Sequence, residues 1–249
     1  MEKKIITKLE PDNFKLETSS VWSFPNRGDW ATHDGEYRGN WSPYVPRNLI
    51  LKYTQLDDLI LDQFVGGGTT LVEAKLLGRN IIGVDINSEA LKRCQEKCDF
   101  DYETNAKVYL KQGDARNLGF IPSEGIDFIC THPPYANIIK YSENIPNDLS
   151  HLSEDKFLDA MKDVAKESYR VLKKKKYCAI LIGDIRIKGY IIPLSFQVMQ
   201  MFQSVGFLLK EIIIKEQHNC KSTTYWKERS QKYNFFLLSH EFLFIFERG

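Results

Sequence analysis

Two short stretches of this chain carry residue types and spacings that can do chemistry. The first runs from Asp62 through Phe64 and the glycines Gly66, Gly67 and Gly68 to Thr69 and Thr70. Glycine tolerates positive φ and has no side chain to obstruct a ligand, so such a run lets the backbone turn sharply beside a bound group. Asp85 follows about 20 positions later, the separation at which an acidic residue can take both hydroxyls of a ribose. The second stretch is His132-Pro133-Pro134-Tyr135, which follows the apolar run Ile126 to Thr131.

Chemistry at these positions needs elements that hold them. Leu59-Ile60-Leu61 reads as a buried strand ended by Asp62-Gln63-Phe64. Thr69 and Thr70 open a helix with Leu71, Ala74 and Leu77 on one face, and Gly78 closes it, as glycine often does just past a helix. Ile81, Ile82 and Val84 form a second buried strand that stops at Asp85 and Ile86. Strand, glycine loop, helix, strand is half of a nucleotide-binding sheet, where ligands bind at strand ends and the helix N-terminus offers free N–H groups. Taken alone, a glycine loop is a weak signal, and a simple tight turn is the lesser alternative.

Further along, Asn87-Ser88-Glu89 signals a helix start, with Ala90, Leu91, Cys94 and Cys98 inward. Val108 to Leu110 is a third strand, ending at Gln112-Gly113-Asp114-Ala115. Ala136 to Leu152 is a long polar loop, a length that usually marks function or disorder. Ser153-Glu154-Asp155 caps a helix with Phe157, Met161, Val164 and Ala165 inside, and Lys173 to Lys176 are expected to end it. A strand over Tyr177–Gly183, a helix over Ile192–Val205 and strands over Phe207–Ile214 and Phe242–Phe246 complete the chain. Residues 1–36, with Trp22, Phe24 and Trp30 among polar residues, read as an irregular arm preceding a single domain over 37–249.

The two motifs in this order resemble those of the S-adenosylmethionine-dependent amino-methyltransferases of DNA, the N6-adenine and N4-cytosine types. Their first motif, Asp-Pro-Phe-x-Gly-x-Gly-Thr-Thr, is matched by Asp62 to Thr70 with Gln63 in place of proline. Their catalytic motif is Asp, Asn or Ser before Pro-Pro-Tyr or Pro-Pro-Phe; here His132 takes the first place. The resemblance runs from about Tyr37 to the C-terminus. It implies an α/β fold of the class I methyltransferase kind, Rossmann-like: a seven-stranded sheet with helices on both faces and the last strand antiparallel. It also implies S-adenosylmethionine as cofactor, held by Asp62, Phe64, Gly66, Gly67, Gly68, Thr69, Thr70, Asp85 and Ile86. Asp114 and Ala115 would meet its adenine, and Arg38, Ser42 and Tyr44 are candidates for its carboxylate or ribose.

In such a reaction an exocyclic amine attacks the sulfonium methyl directly. The amine lone pair is delocalised into the base ring, so an acceptor on the enzyme must take its N–H bonds. His132 and the Pro133 carbonyl are the expected acceptors, with Pro134 shaping the turn and Tyr135 stacking on a base flipped from the duplex. Neutral histidine accepts through one ring nitrogen, whereas protonated histidine only donates. Activity is therefore expected to fade as His132 charges near its ordinary pKa of about 6.5. Cytosine-C5 methylation needs a cysteine nucleophile, usually after proline, and no Pro-Cys pair exists.

Length and composition bound the rest. At 249 residues, 43% hydrophobic and 27% charged, the chain suits one soluble α/β domain with a full core. A net charge of +1 announces no nucleic-acid partner, so any basic surface must be local. That surface is expected over about 215–240. Within 215–232, Lys215, Lys221, Lys227, Arg229 and Lys232 outnumber Glu216 and Glu228, and Tyr225, Trp226 and Tyr233 interleave with them. Basic residues hold phosphates while hydroxyls and amides read base edges. Lys221, Thr224, Tyr225, Trp226, Lys227 and Arg229 are thus the candidate contacts to double-stranded DNA; a solvated loop with a few buried aromatics is the alternative. The insertion is small, so recognition is expected to involve the 136–152 loop, a homodimer or a partner subunit.

The five cysteines form no CxxC pair, and His218 with Cys220 are too few for a metal. No metal is expected, and reduced thiols of a cytoplasmic protein are. The N-terminus lacks an apolar core segment and no apolar stretch approaches roughly 18 residues, so neither a signal peptide nor a membrane span is expected. The leading reading is a DNA methyltransferase of the restriction-modification type, with adenine N6 favoured slightly over cytosine N4. Thr131 before the motif resembles the Thr-Ser-Pro-Pro-Tyr of the N4 enzymes. The alternatives are an N-methyltransferase of RNA or of a protein amide, and a catalytically silent subunit that binds DNA or cofactor.

Overall fold

The computed structural model describes residues 6–136, 141–142, 145–219 and 223–249. Its centre is built from β2 (Leu59–Asp62), β3 (Asn80–Asp85), β4 (Val108–Gln112), β5 (Ile126–Thr131) and β6 (Leu172–Ile182), all mutually parallel where they pair. The sheet order is β1-β9-β10-β6-β5-β2-β3-β4, where β1 is Val21–Trp22, β9 is Phe207–Glu216 and β10 is His240–Arg248. β10 alone runs antiparallel, between β6 and β9. The chain steps from β2 outward through β3 and β4, then returns to the other side of β2 for β5 and β6. The strand order therefore reverses between β2 and β5, and a crevice opens at their carboxyl ends, where ligands bind in such sheets.

Alternation along each strand explains why both faces are covered. Leu61, Ile129, Phe244 and Phe246 enter one core with Phe157, Met161 and Phe202 from α4 (Glu154–Val171) and α5 (Leu194–Ser204). Ile60, Phe128, Cys130, Leu243 and Ile245 enter the opposite core with residues of α1 (Tyr44–Tyr53), α2 (Thr69–Leu76) and α3 (Ser88–Cys98). Asn87 caps α3 by accepting the Glu89 N–H at 3.0 Å. Among the described residues no helix is long and apolar enough to cross a membrane.

Three features depart from expectation. Among the described residues the sheet has eight strands rather than seven, because Val21–Trp22 pairs in parallel with the outer edge of β9. Trp22 is buried in the second core, and Trp30 behind it donates to the buried Glu73 carboxylate at 2.6 Å. A separate hairpin, β7 (Ile185–Ile187) with β8 (Tyr190–Ile192), occupies the join between β6 and α5. Lys173 to Lys176, expected to close α4, lie in β6: Leu172 is already extended and pairs with Ile126. Lys173 meets Asp127 at 2.8 Å and Lys176 meets Asp58 at 3.4 Å. Asp127 in the neighbouring β5 and Asp58 just before β2 thus accommodate two of the charges that the sequence pattern assigns to a helix end.

Candidate active site

At the crevice each strand ends in a residue that can bind. Asp62 closes β2, Asp85 closes β3, Asp114 follows β4 and His132 follows β5. They line one cleft. Phe64, Gly66, Gly67, Ile86, Ala115, Pro133 and Pro134 line the same cleft. Residues from two motifs about 70 positions apart are thereby brought together.

The glycine loop is held from below. The Gly66 N–H donates to Asp85 Oδ2 at 3.0 Å and the Asn87 N–H to Asp85 Oδ1 at 2.9 Å. Each carboxylate oxygen keeps a further lone pair for a ligand. Gly66 and Gly68 adopt positive φ of 46° and 79°, which only glycine adopts at little cost. Gly67 is needed for a different reason: a Cβ there would stand 2.7 Å from Asn40 Nδ2 and 2.9 Å from Tyr37 Cβ. Gly68 caps α2 and faces Cys94 rather than the cleft, and Thr69 donates to Asn40 Oδ1 at 2.7 Å. Thr70 is buried in the first turn of α2.

Charge in the cleft is acidic: Asp62, Asp85, Asp114 and Asp148 line it, and no lysine or arginine does among the described residues. Burial raises the Asp62 pKa to about 6, against hydrogen bonds that favour its charged form. Burial also raises Asp85, opposed by the backbone donors of Asn87 and Gly66. At Asp114 burial works the same way, but the Arg116 guanidinium, bonded to both its oxygens, holds the net value below the usual carboxylate range.

His132 sits under the Trp41 ring, 5.5 Å between centroids and 25° from parallel. Its Nε2 lies 2.9 Å from the Tyr135 hydroxyl, which lies 2.5 Å from Glu241 Oε1. Lys215 donates to Glu241 Oε2 at 2.9 Å. Burial lowers the His132 pKa to about 4, with the Lys215 charge lowering it further and Glu241 opposing. The expected loss of activity near pH 6.5 is therefore corrected: a ring removed from water resists protonation until well below that value.

Several predicted residues lie off the cleft. Arg38 is exposed, Tyr44 stacks on Phe24 at 5.2 Å, and Ser42 donates to the Arg27 carbonyl at 2.7 Å. Their neighbours Tyr37, Asn40 and Trp41 form the cleft wall instead, with Tyr141 stacked on Tyr37. Turn geometry decides which residues of such a segment face inward, and no periodicity in the sequence reports it. Thr131 is fully buried; it donates to Asp62 and accepts from the Gln63 N–H. Gln63 keeps an N–H that the family's proline lacks, and its amide meets Ser168 in α4.

The 215–240 stretch divides. Lys215 and Glu216 belong to β9, and α6 (Thr223–Lys232) follows. Thr224, Tyr225, Trp226, Lys227 and Arg229 are exposed on α6, with the Arg229 guanidinium 4.4 Å above the Tyr225 ring. Lys221 and Cys220 lie outside the described residues, as does part of the 136–152 loop. Arg186 of the β7–β8 hairpin donates to the Phe236 carbonyl at 3.0 Å, joining the hairpin to the end of this segment.

A family model described as DNA methylase matches residues 2–96 and 126–249. The chain belongs to the N6/N4 DNA methylase family. A second model, RMKL-like methyltransferase domain, matches residues 50–179 of this chain. The type II methyltransferase M2.DpnII of Streptococcus pneumoniae is 42% identical over 76 residues, 30% of this chain and 27% of that protein. A tRNA (guanine(10)-N2)-dimethyltransferase of Methanothermobacter thermautotrophicus is 35% identical over 101 residues, 40% of this chain and 29% of that protein. The match thus spans less than a third of each of these relatives. Among solved structures, a SAM-dependent methyltransferase from Methanosarcina mazei superposes with a TM-score of 0.56 at 19% identity, covering 80% of this chain and 96% of that chain. TrmN from Thermus thermophilus gives 0.55 at 17% identity, covering 85% and 50%. At these identities the likeness is one of fold.

Proposed function

We propose that this methylase family member transfers a methyl group from S-adenosylmethionine to the exocyclic amine of a base flipped from double-stranded DNA, adenine N6 in preference to cytosine N4. One observation carries the reading: His132-Pro133-Pro134 and the Asp62–Gly67 loop line a single cleft with Asp85 and Asp114.

The cleft suits the cofactor. Four carboxylates and no lysine or arginine line it among the described residues, a lining that favours a sulfonium and an ammonium group. Asn40 Nδ2 is buried there with no hydrogen-bond partner among the described residues, placed to donate to a carboxylate. Asp85 would take the ribose hydroxyls, Asp114 the adenine amino group, and Gly66 and Gly67 the close backbone approach. The cofactor supplies an electrophilic methyl group; a C–N bond forms as the S–C bond breaks, and the amine then gives up a proton to water. His132 and the Pro133 carbonyl accept the amine N–H bonds and orient its lone pair. The exposed Tyr225, Trp226, Lys227 and Arg229 on α6 offer phosphate and base contacts.

The tRNA-modifying relative supports a second reading, in which the amine belongs to an RNA base. Incubation with radiolabelled S-adenosylmethionine and plasmid DNA or bulk tRNA, followed by digestion to nucleosides, tests both. N6-methyladenine in DNA is the expected product. N4-methylcytosine would change the base, and label confined to tRNA would replace the substrate.

A further inference from the structure

Glu241 is a buried carboxylate next to the aromatic and apolar middle of β10, Phe242 to Phe246, and no sequence motif includes it. It is 5% exposed. Its cross-strand partner in the sheet is Lys215, whose ammonium bonds Oε2. That pairing outweighs the burial that disfavours charge, and Glu241 stays ionised. An ionised carboxylate only accepts.

The consequence passes through Tyr135. A phenol has one proton, and at 2.5 Å from Oε1 it must be given to Glu241. The phenol oxygen then presents a lone pair to His132 Nε2, 2.9 Å away. That nitrogen must carry hydrogen, and a neutral imidazole carries only one. We propose that Glu241, acting through Tyr135, is a positioning residue that holds His132 in its Nε2–H tautomer and reserves Nδ1 as the acceptor for the substrate amine.

Among the described residues no hydrogen bond reaches Nδ1. Nδ1 is bonded to Cγ, as Oδ1 is in Asp or Asn, so the relay places an acceptor at the bond position where most of the family carries an oxygen. The Trp41 ring over His132 and the Gly183 backbone against Tyr135 fix the two rings in place. The inference rests on the amine-methylating reading above, but the tautomer can be measured without it.

The experiment compares the wild-type chain with Glu241→Gln by long-range 1H–15N spectroscopy of histidine-labelled protein near pH 7.5, assigning His132 through His132→Asn. Wild-type His132 should read as Nε2–H. In the Gln variant Lys215 retains the amide oxygen, so the NH2 faces Tyr135. Tyr135 then accepts, its proton turns to His132 Nε2, and the ring reverses to Nδ1–H. With DNA as substrate, kcat should fall about a hundredfold or more while KM for DNA changes little. Tyr135→Phe, which breaks the relay without reversing it, should leave a mixture of tautomers. An Nδ1–H ring in the wild type, or the same tautomer in Glu241→Gln, overturns the proposal, as does a reversed tautomer with unchanged kcat. A wild-type protein that methylates no base would count against the amine reading alone.

Discussion

Thr131 donates its hydroxyl to Asp62 Oδ1 at 2.9 Å and so ties the end of the His132 strand to the end of the glycine-loop strand. The bond joins two buried polar groups, and it makes the spacing of the glycine loop and His132 a property of the sheet rather than of the loops.

The same burial makes Asp62 a costly residue at neutral pH. Its pKa of about 6 lies above the ordinary 3.8, a gap worth about 3 kcal/mol. Because the folded value is the higher, the favourable contribution is complete below pH 3.8 and lost as pH rises through about 6. Asp62→Asn, which keeps an acceptor for Thr131, should therefore gain stability on the wild type between pH 4 and pH 7. Urea unfolding of both proteins across that range checks it; parallel curves would contradict it.

His132 should set an acidic limit to turnover near pH 4. The groups facing it are Glu241 from β10, Lys215 from β9, Tyr135 of its own motif and the uncharged Trp41. Its folded pKa of about 4 is below the ordinary 6.5. The neutral ring thus contributes stability above pH 6.5, lost as pH falls through 4. His132→Asn should lack the limb near pH 4 while keeping any limb that Asp62 imposes near 6. A wild-type limb centred at 6.5 and absent from the variant would show that the ring is not desolvated.

Gly67→Ala should weaken cofactor binding with little loss of fold. The added methyl would meet Asn40 and Tyr37 at under 3 Å, so the cleft wall must move. Calorimetric titration with S-adenosylhomocysteine should show affinity weakened about tenfold or more, about 1.4 kcal/mol, with the melting temperature little changed. Wild-type affinity would mean that the loop is not where the cofactor lies.

Lys227→Ala and Arg229→Ala should weaken DNA binding and lower its salt dependence by about one unit for each phosphate no longer neutralised. Both residues are exposed on α6, so stability should be unaffected, as should S-adenosylhomocysteine affinity. Fluorescence anisotropy on a duplex at several salt concentrations reads the slope. An unchanged slope would remove α6 from the interface.

The sequence by itself determined the organisation of the cleft floor. β2, β3 and β5 are short apolar runs because parallel strands are buried on both faces, and each is closed or followed by a polar residue that lines the cleft, so Asp62, Asp85 and His132 are legible in order. What it could not determine was which distant strand stands beside the motif. β10 inserts antiparallel between β6 and β9, and only that placement sets Glu241 against Tyr135 across 106 residues and Lys215 against Glu241. The inward turn of Trp41, the strand conformation of Lys173 to Lys176 and the neutral state of His132 have the same origin. Each follows from pairing and burial between segments far apart in the chain, and local residue pattern carries no record of either.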